Sequence, residues 1–416
     1  MDASDLGAEV RAWLATNWDP ERSLFDWRGI LADAGWGCPS WPTAWWGRGL
    51  SATLASIVEA EISGFGAVGA TPGQGVTLAG ATIVQHGSDD VKARYLRRAQ
   101  TGEDRWCQLF SEPGSGSDLA GLTTRAERDG DEWVITGQKV WNTSAHKASM
   151  GILVARTDID VPKHKGITFF LINMLQPGVD ARPLKAMNGY ASFNEVFFNE
   201  ARVAHRDIVG AVGEGWRVAQ STLAAERTLP STRPVSSSKG DLRGRCHDEA
   251  RAETEEYFST YKWYPQRAGR ADLTISQAQA RASNDDPIVR QRLADLFALN
   301  SAARWTSQRA RDARMAGKPP GSEGSIGKLV GSEISRRAAS LHAQIAGPDA
   351  MLNGPDSPLD GLVAEILVSQ PGQSIAGGTD EIQHNIIGDR TLGLPREPSV
   401  DVDVAFREVR TNSRAR

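Results

Sequence analysis

Apolar positions recur every three or four residues through the first hundred residues. Leu6, Val10, Trp13 and Leu14 share one helical face, "ATLASIVEAEIS" is amphipathic, and "DDVKARYLRRAQTGE" has an acidic start and a basic middle. From about Trp106 the period shortens. "EWVITGQKVW" alternates, "MGILVAR" and "GITFFLINM" are short apolar runs, and "FNEVFFNEARV" follows, all set off by Gly, Asp and Pro turns. Strand runs without intervening helices predict an antiparallel sheet or barrel rather than βαβ units. After Gly213 and Gly215 the helical pattern returns in "GWRVAQSTLAAER", and it resumes beyond Asp286 in "PIVRQRLADLFALNSAARWTSQRARDARMAG". The pattern therefore predicts an α+β multidomain chain. A helical domain over 1–104 precedes a β domain over 105–210, a helical region over 211–400 and a tail over 401–416. Residues 228–286 break the last region as an irregular insertion, partly loop, with one helix through "HDEARAETEEYFSTY".

Composition narrows the function classes. At 416 residues with a formal net charge of -4 spread along the chain, there is ample core and no electrostatic footprint for nucleic acid or an anionic membrane. Cys38, Cys107 and Cys246 are odd in number and far apart, so neither a disulfide framework nor a zinc site is expected and a reducing cytoplasm fits. The start "MDASDLGAEVRAW" lacks the basic end of a signal peptide, and no apolar run is long enough to span a bilayer. A protein without membrane insertion is expected.

Local motifs leave the chemistry open. In "WCQLFSEPGSGSDLAG", Gly114, Gly116 and Ser117 follow a Ser-Glu-Pro turn, which can aim backbone amides at a polar ligand or simply join two strands. The spacing of Gly114, Gly116 and Gly121 misses the dinucleotide fingerprint. Ser236 to Lys239 satisfies S-x-x-K only in a polar loop, no metal motif is present, and His86 and His342 read as structural.

The order of motifs is more specific than any one of them. "SEPGSGSDLAG", "VITGQKVWNTSA", "HAQIAGPDAM" and "GGTDEIQHNIIGDRTLGL" together resemble the acyl-CoA dehydrogenase family over nearly the whole chain outside the insertion. The resemblance implies a helical N-terminal domain, a central antiparallel β-barrel domain and a C-terminal helical bundle, with FAD between barrel and bundle. It also implies α,β-desaturation of an acyl-CoA thioester, with electrons passing to an electron-transfer flavoprotein, in a homo- or hetero-oligomer. Carried over by position, Phe110, Ser111 and Ser117 line the flavin, Ser117 also near the thioester. Trp141 lies beside the flavin ring and Thr143 hydrogen-bonds toward its N5. Gln344, Gly347, Thr379 and Glu381 complete the cofactor contacts.

One departure stands out. Many members of the family carry the α-proton base as Glu-Gly-Thr, where this chain has Gly377-Gly378-Thr379. Others place the carboxylate on a helix directly before a substrate-contacting Arg, and Glu226-Arg227 in "AAERT" matches that pair. Trp216, Ala219, Leu223 and Arg227 form one stripe with Glu226 at its edge, where partial desolvation favours a base; a solvated pair at a helix end gives the same pattern. Gly377 keeps the backbone N–H that in the family helps polarise the thioester carbonyl, and its missing side chain leaves room for a bulky, branched or ring-bearing acyl group. Asp380 is expected to cap the following helix. Two other readings compete: a non-catalytic or half-site subunit of a heteromeric enzyme, and an oxygen-reactive flavin oxidase or monooxygenase of the same fold.

Overall fold

The computed structural model describes residues 3–228, 242–259, 261–318, 321–396 and 398–409. The N-terminal helices are α1 (Ala3–Asn17), α2 (Leu24–Asp33), α3 (Ala52–Phe65), α4 (Ala81–His86) and α5 (Asp89–Thr101), with a π-turn at Gly75–Gly80 running into α4. Serine side chains start three of them: Ser23, Ser51 and Ser88 accept from the third residue on, satisfying amides that the helix leaves bare. The expected α1 stripe is real, since Leu6, Val10 and Leu14 are buried.

Seven strands follow: β1 (Trp106–Leu109), β2 (Arg125–Asp129), β3 (Glu132–Val140), β4 (Met150–Arg156), β5 (Ile167–Asn173), β6 (Val179–Leu184) and β7 (Phe193–Ala204). They make one curled sheet in which β4 carries β5 on one edge and β1 then β2 on the other, continuing through β3 and β7 to β6. The expectation of a wholly antiparallel sheet needs a correction. β1 runs parallel to β4, because the β2–β3 hairpin lies between them in sequence and brings the chain back in the direction it left. Side chains alternate across β1: Cys107 and Leu109 enter the inside of the curl, while Trp106 and Phe110 join the core shared with the N-terminal helices.

The remaining helices are α6 (Gly215–Thr228), α7 (Arg245–Ser259), α8 (Tyr264–Arg267), α9 (Thr274–Ala280), α10 (Pro287–Met315), α11 (Glu323–Ala346), α12 (Leu362–Ser369), α13 (Pro371–Ile375) and α14 (Asp380–Arg390). The irregular insertion is thus more ordered than its composition suggests, with α7, α8 and α9 in its described part. Dense mixed charge hid these helices because the charges are paired. Glu253 forms a two-point ion pair with Arg28 of α2, at 2.9 and 2.6 Å, and Glu249 accepts from the Leu24 amide at 2.8 Å. Arg28 is only 4% exposed, so its charge depends on this partner. Cys246, at the start of α7, completes the apolar core of α1, α2 and α3. Ser236–Lys239 lies outside the described residues. Among the described residues, no helix is long and apolar enough to cross a membrane and no cluster of three or more His, Cys, Asp or Glu could hold a metal.

Candidate active site

The site is built outward from β1. Its end is fixed by Lys139, fully buried, which donates to the Phe110 carbonyl and to Glu112 Oε1, both at 2.9 Å. Glu112 in turn accepts from the Thr123 amide and hydroxyl (2.7 and 2.9 Å) and the Thr124 amide (2.9 Å). Burial pushes the Glu112 carboxyl up, but the Lys139 ammonium and these hydrogen bonds outweigh it and leave it at about 2. The Ser111 carbonyl accepts from Val140, and Glu112 and Ser115 exchange backbone hydrogen bonds at 3.0 Å. The glycine turn that follows borders an open groove of about 550 Å³ lined by Glu112, Pro113, Gly114, Ser115, Gly116, Thr123 and Gln138. Ser117 is exposed on this turn, and a Cβ at Gly116 would meet nothing.

Beyond β3 the backbone turns through two left-handed residues, Trp141 at φ 63° and Ser144 at φ 56°. Side-chain-bearing residues hold that conformation only when their surroundings impose it. Here Asn142 does so: its Nδ2 donates to the Gln108 carbonyl of β1, and its own carbonyl accepts from Asn194 of β7, each at 2.8 Å. Trp141 is thereby left 56% exposed, edge-on to Phe193. The Asn142 Oδ1 atom is buried and, among the described residues, accepts no hydrogen bond. Thr143 lines a cavity of about 110 Å³ with Trp106, Gly73 to Gly75, Lys147 and Tyr257 and Tyr261 from the insertion. Gly75 is required there, since a Cβ would stand 2.8 Å from Trp106 Cδ1.

Gln108 lies on the cavity side of β1, and its Nε2 reaches Glu226 Oε2 at 3.5 Å. Glu226 is half-buried on α6, whose Trp216 and Leu223 pack into the core below. The Arg227 side chain lies outside those described. A different arginine supplies positive charge to Glu226: Arg267 of α8, 8% exposed, stacked 4.0 Å over the Tyr264 ring. Burial pulls the Arg267 guanidinium below its usual range, against the pull of Tyr264, Tyr261 and Glu226. Neither Gln108 nor Arg267 was marked in the sequence. Gln108 could have been found by alternation from Trp106, whereas "YPQRAGR" gives no local sign of burial.

The glycine pair lies before α14, with Gly377 at φ 67° and Gly378 at φ 88°. Gln383 Nε2 donates to the Gly377 carbonyl at 3.1 Å, and a Cβ on Gly378 would sit 2.6 Å from that nitrogen, whereas one on Gly377 would meet nothing within 4 Å. The expected capping role of Asp380 is corrected. Thr379 is the N-cap, accepting from the Ile382 amide at 3.2 Å, while Asp380 turns inward to Lys328 (3.0 Å) and Arg336 (2.5 Å) of α11. Burial raises the Asp380 carboxyl, and its hydrogen bonds with Arg336, Ser332 and Lys328 outweigh that and bring it to about 2. Glu381 is exposed and held low by its own amide and the Thr379 hydroxyl. Gln344 and Gly347 lie exposed at the end of α11, Gln344 accepting from Arg292 and the Ala346 carbonyl from Arg281. Phe110, Ser111, Trp141, Thr143 and Glu226 thus gather around β1, and the Gly377–Glu381 turn and Gln344–Gly347 are held through α11.

Comparison with known proteins identifies the family. Three family models match in chain order: the acyl-CoA dehydrogenase N-terminal domain over residues 3–103, its middle domain over 107–201 and its C-terminal domain over 269–392. The acyl-CoA dehydrogenase IpdE1 of Mycobacterium tuberculosis is 34% identical over 95% of this chain and 99% of its own. Acyl-CoA dehydrogenase FadE34 of the same organism is 35% identical over 88% of this chain, which spans about half (46%) of FadE34. A variant of the Tcur3481-Tcur3483 steroid ACAD superposes with a TM-score of 0.65 at 25% identity, covering 95% of this chain and 99% of its own.

Proposed function

The chain belongs to the acyl-CoA dehydrogenase family of FAD-binding oxidoreductases, and from that premise we propose that it desaturates a bulky, branched or ring-bearing acyl-CoA with Glu226 as the α-proton base. Bound FAD supplies the hydride acceptor at N5. The observation that carries the assignment is Glu226, half-buried on α6 and within reach of Gln108 on the cavity side of β1. A base must sit on the substrate while the Cβ hydride leaves, and this position combines partial desolvation with the field of Arg267.

The residues present fit FAD. The exposed Trp141 indole offers an apolar surface, the Gly114–Gly116 turn presents open backbone, and the buried Asn142 Oδ1 needs a donor. In this reading Phe110, Ser111, Ser117, Trp141 and Thr143 hold the flavin, with Gln344, Gly347, Thr379 and Glu381 completing the cofactor site. Ser117 and Arg227 contact the substrate. The Gly377 N–H donates to the thioester carbonyl, where developing negative charge makes a fixed donor most effective. The space beside Gly377 supports a bulky acyl group, as does the likeness to a steroid ACAD. An electron-transfer flavoprotein is the proposed acceptor.

A second reading, a half-site subunit working with a homologous partner, is favoured by the exposure of Gln344 and Gly347 and of Phe297 and Trp305 on α10. Anaerobic titration of the purified chain with a panel of acyl-CoAs tests both. Bleaching of bound flavin in wild type but not in Glu226→Gln supports the first; a colourless chain that gains flavin only with a partner supports the second and overturns the first.

A further inference from the structure

Beyond residue 392, where the C-terminal family model stops matching, the chain leaves the helical region and crosses to the β domain. Ala405 bridges Pro162 as an added scrap of antiparallel strand, the Phe406 amide donates to the Val161 carbonyl at 2.9 Å, and the Arg407 amide donates to Ile159 at 3.0 Å. Two side-chain contacts carry this docking inward. Phe406 is 1% exposed, and the Arg156 guanidinium lies 3.6 Å from its ring centroid. Asp401 accepts from Lys163 Nζ at 2.7 Å.

Arg156 and Lys163 are two cations that hold the far side of the turn carrying Ser117. Arg156 Nη2 donates to the carbonyls of Ala120 (2.6 Å) and Leu122 (3.2 Å), and its Nη1 to Lys163 (2.6 Å). Lys163 Nζ grips Asp118, next to Ser117, at 3.1 and 3.3 Å. The neighbouring His164 ring packs 4.9 Å from Trp216, at the start of the helix that bears Glu226. Both cations are buried, so each depends on the tail: Arg156 for the aromatic face that covers it, Lys163 for its second carboxylate.

We infer that residues 398–409 are a positioning strap, which holds the Asp118–Leu122 side of the glycine turn in the shape that the cofactor and thioester require. Phe406 and Asp401 act through Arg156 and Lys163 and touch neither ligand. The link to the cofactor rests on the proposed placement of this turn at the flavin.

The test compares the full chain with a version ending at residue 397, and with Phe406→Ala and Asp401→Asn, which report even if the truncation does not fold. Val402→Ala, at an exposed position, is the control. Amide exchange over residues 114–122 should rise selectively while that of β3 and β7 stays unchanged, and apoprotein affinity for FAD should fall about tenfold, or about 1.4 kcal/mol. KM should rise more than kcat falls. Unchanged exchange at 114–122 in Phe406→Ala and Asp401→Asn would overturn the strap. Faster exchange there with unaltered FAD affinity would sustain the strap and overturn the assignment of this turn to the flavin, a conclusion that Ser117→Ala would check separately.

Discussion

Gln108 Nε2 lies 3.5 Å from Glu226 Oε2, joining the first strand of the sheet to helix α6. Glu226→Gln keeps the shape and removes the basicity. It should lower kcat by roughly 10²–10⁴-fold while flavin stays bound, read by stopped-flow bleaching. Gln108→Ala should cost far less and act on kcat rather than on flavin content. A loss of flavin in Glu226→Gln would mean that the carboxylate serves the cofactor site instead.

Lys139 and Glu112 form a buried pair, and removing one partner leaves the other charged without compensation. Glu112→Gln should destabilise the protein by about 3–5 kcal/mol, measured as a shift in urea midpoint. The pH dependence has a definite sign. Glu112 is held at about 2 against an ordinary value of 4.5, so its contribution is complete above pH 4.5 and fades as the pH falls toward 2. Glu112→Gln should therefore flatten the acid limb of the stability profile.

Arg336 binds Ser374 Oγ at 3.1 Å and also Asp380, spanning the chain on either side of Gly377 and Gly378. Asp380→Asn should lower the melting temperature and, by loosening the turn, reduce kcat for thioester substrates. Its stabilising effect follows the same sign, lost as pH falls from 3.8 toward about 2. Equal kcat in variant and wild type would detach this ion cluster from the chemistry.

Gly377→Glu puts a carboxylate where other members of the family carry one, at a left-handed residue where a side chain costs roughly 1–2 kcal/mol. A Cβ there meets nothing within 4 Å, so the protein should fold. The variant should lose kcat/KM for ring-bearing acyl-CoAs more than for short straight ones. Uniform loss across a chain-length and ring series would show that the space beside Gly377 does not select the acyl group.

Periodicity alone was enough to place α1, α3, α5 and the four strands β3, β4, β5 and β7, because each buries one face or both. β1, β2 and β6 were harder to see: β1 is only four residues long, and β2 and β6 are largely exposed, so no alternation rises above the turns around them. The turn before α14 was legible because its backbone geometry demands glycine, as at Gly377 and Gly378. The site was not legible where a role depends on distant partners. Asp380 looked like a cap because sequence shows its place on α14 and not the cations of α11, and Arg267 could be recognised only once the fold had buried it within the field of Glu226.

The docking of α7 on α2 also bears on how the chain is made. Arg28 and Glu253 stand 225 residues apart, so the N-terminal helices leave the ribosome before the carboxylate partner of this arginine is made. At ~5–20 residues per second its partner follows after about 10–45 s. Throughout that interval the α1–α3 core also lacks Cys246, the piece that closes it. Residues 3–103 therefore form a family-defined domain by sequence but not a self-sufficient one in synthesis: its final consolidation waits for a helix encoded far downstream.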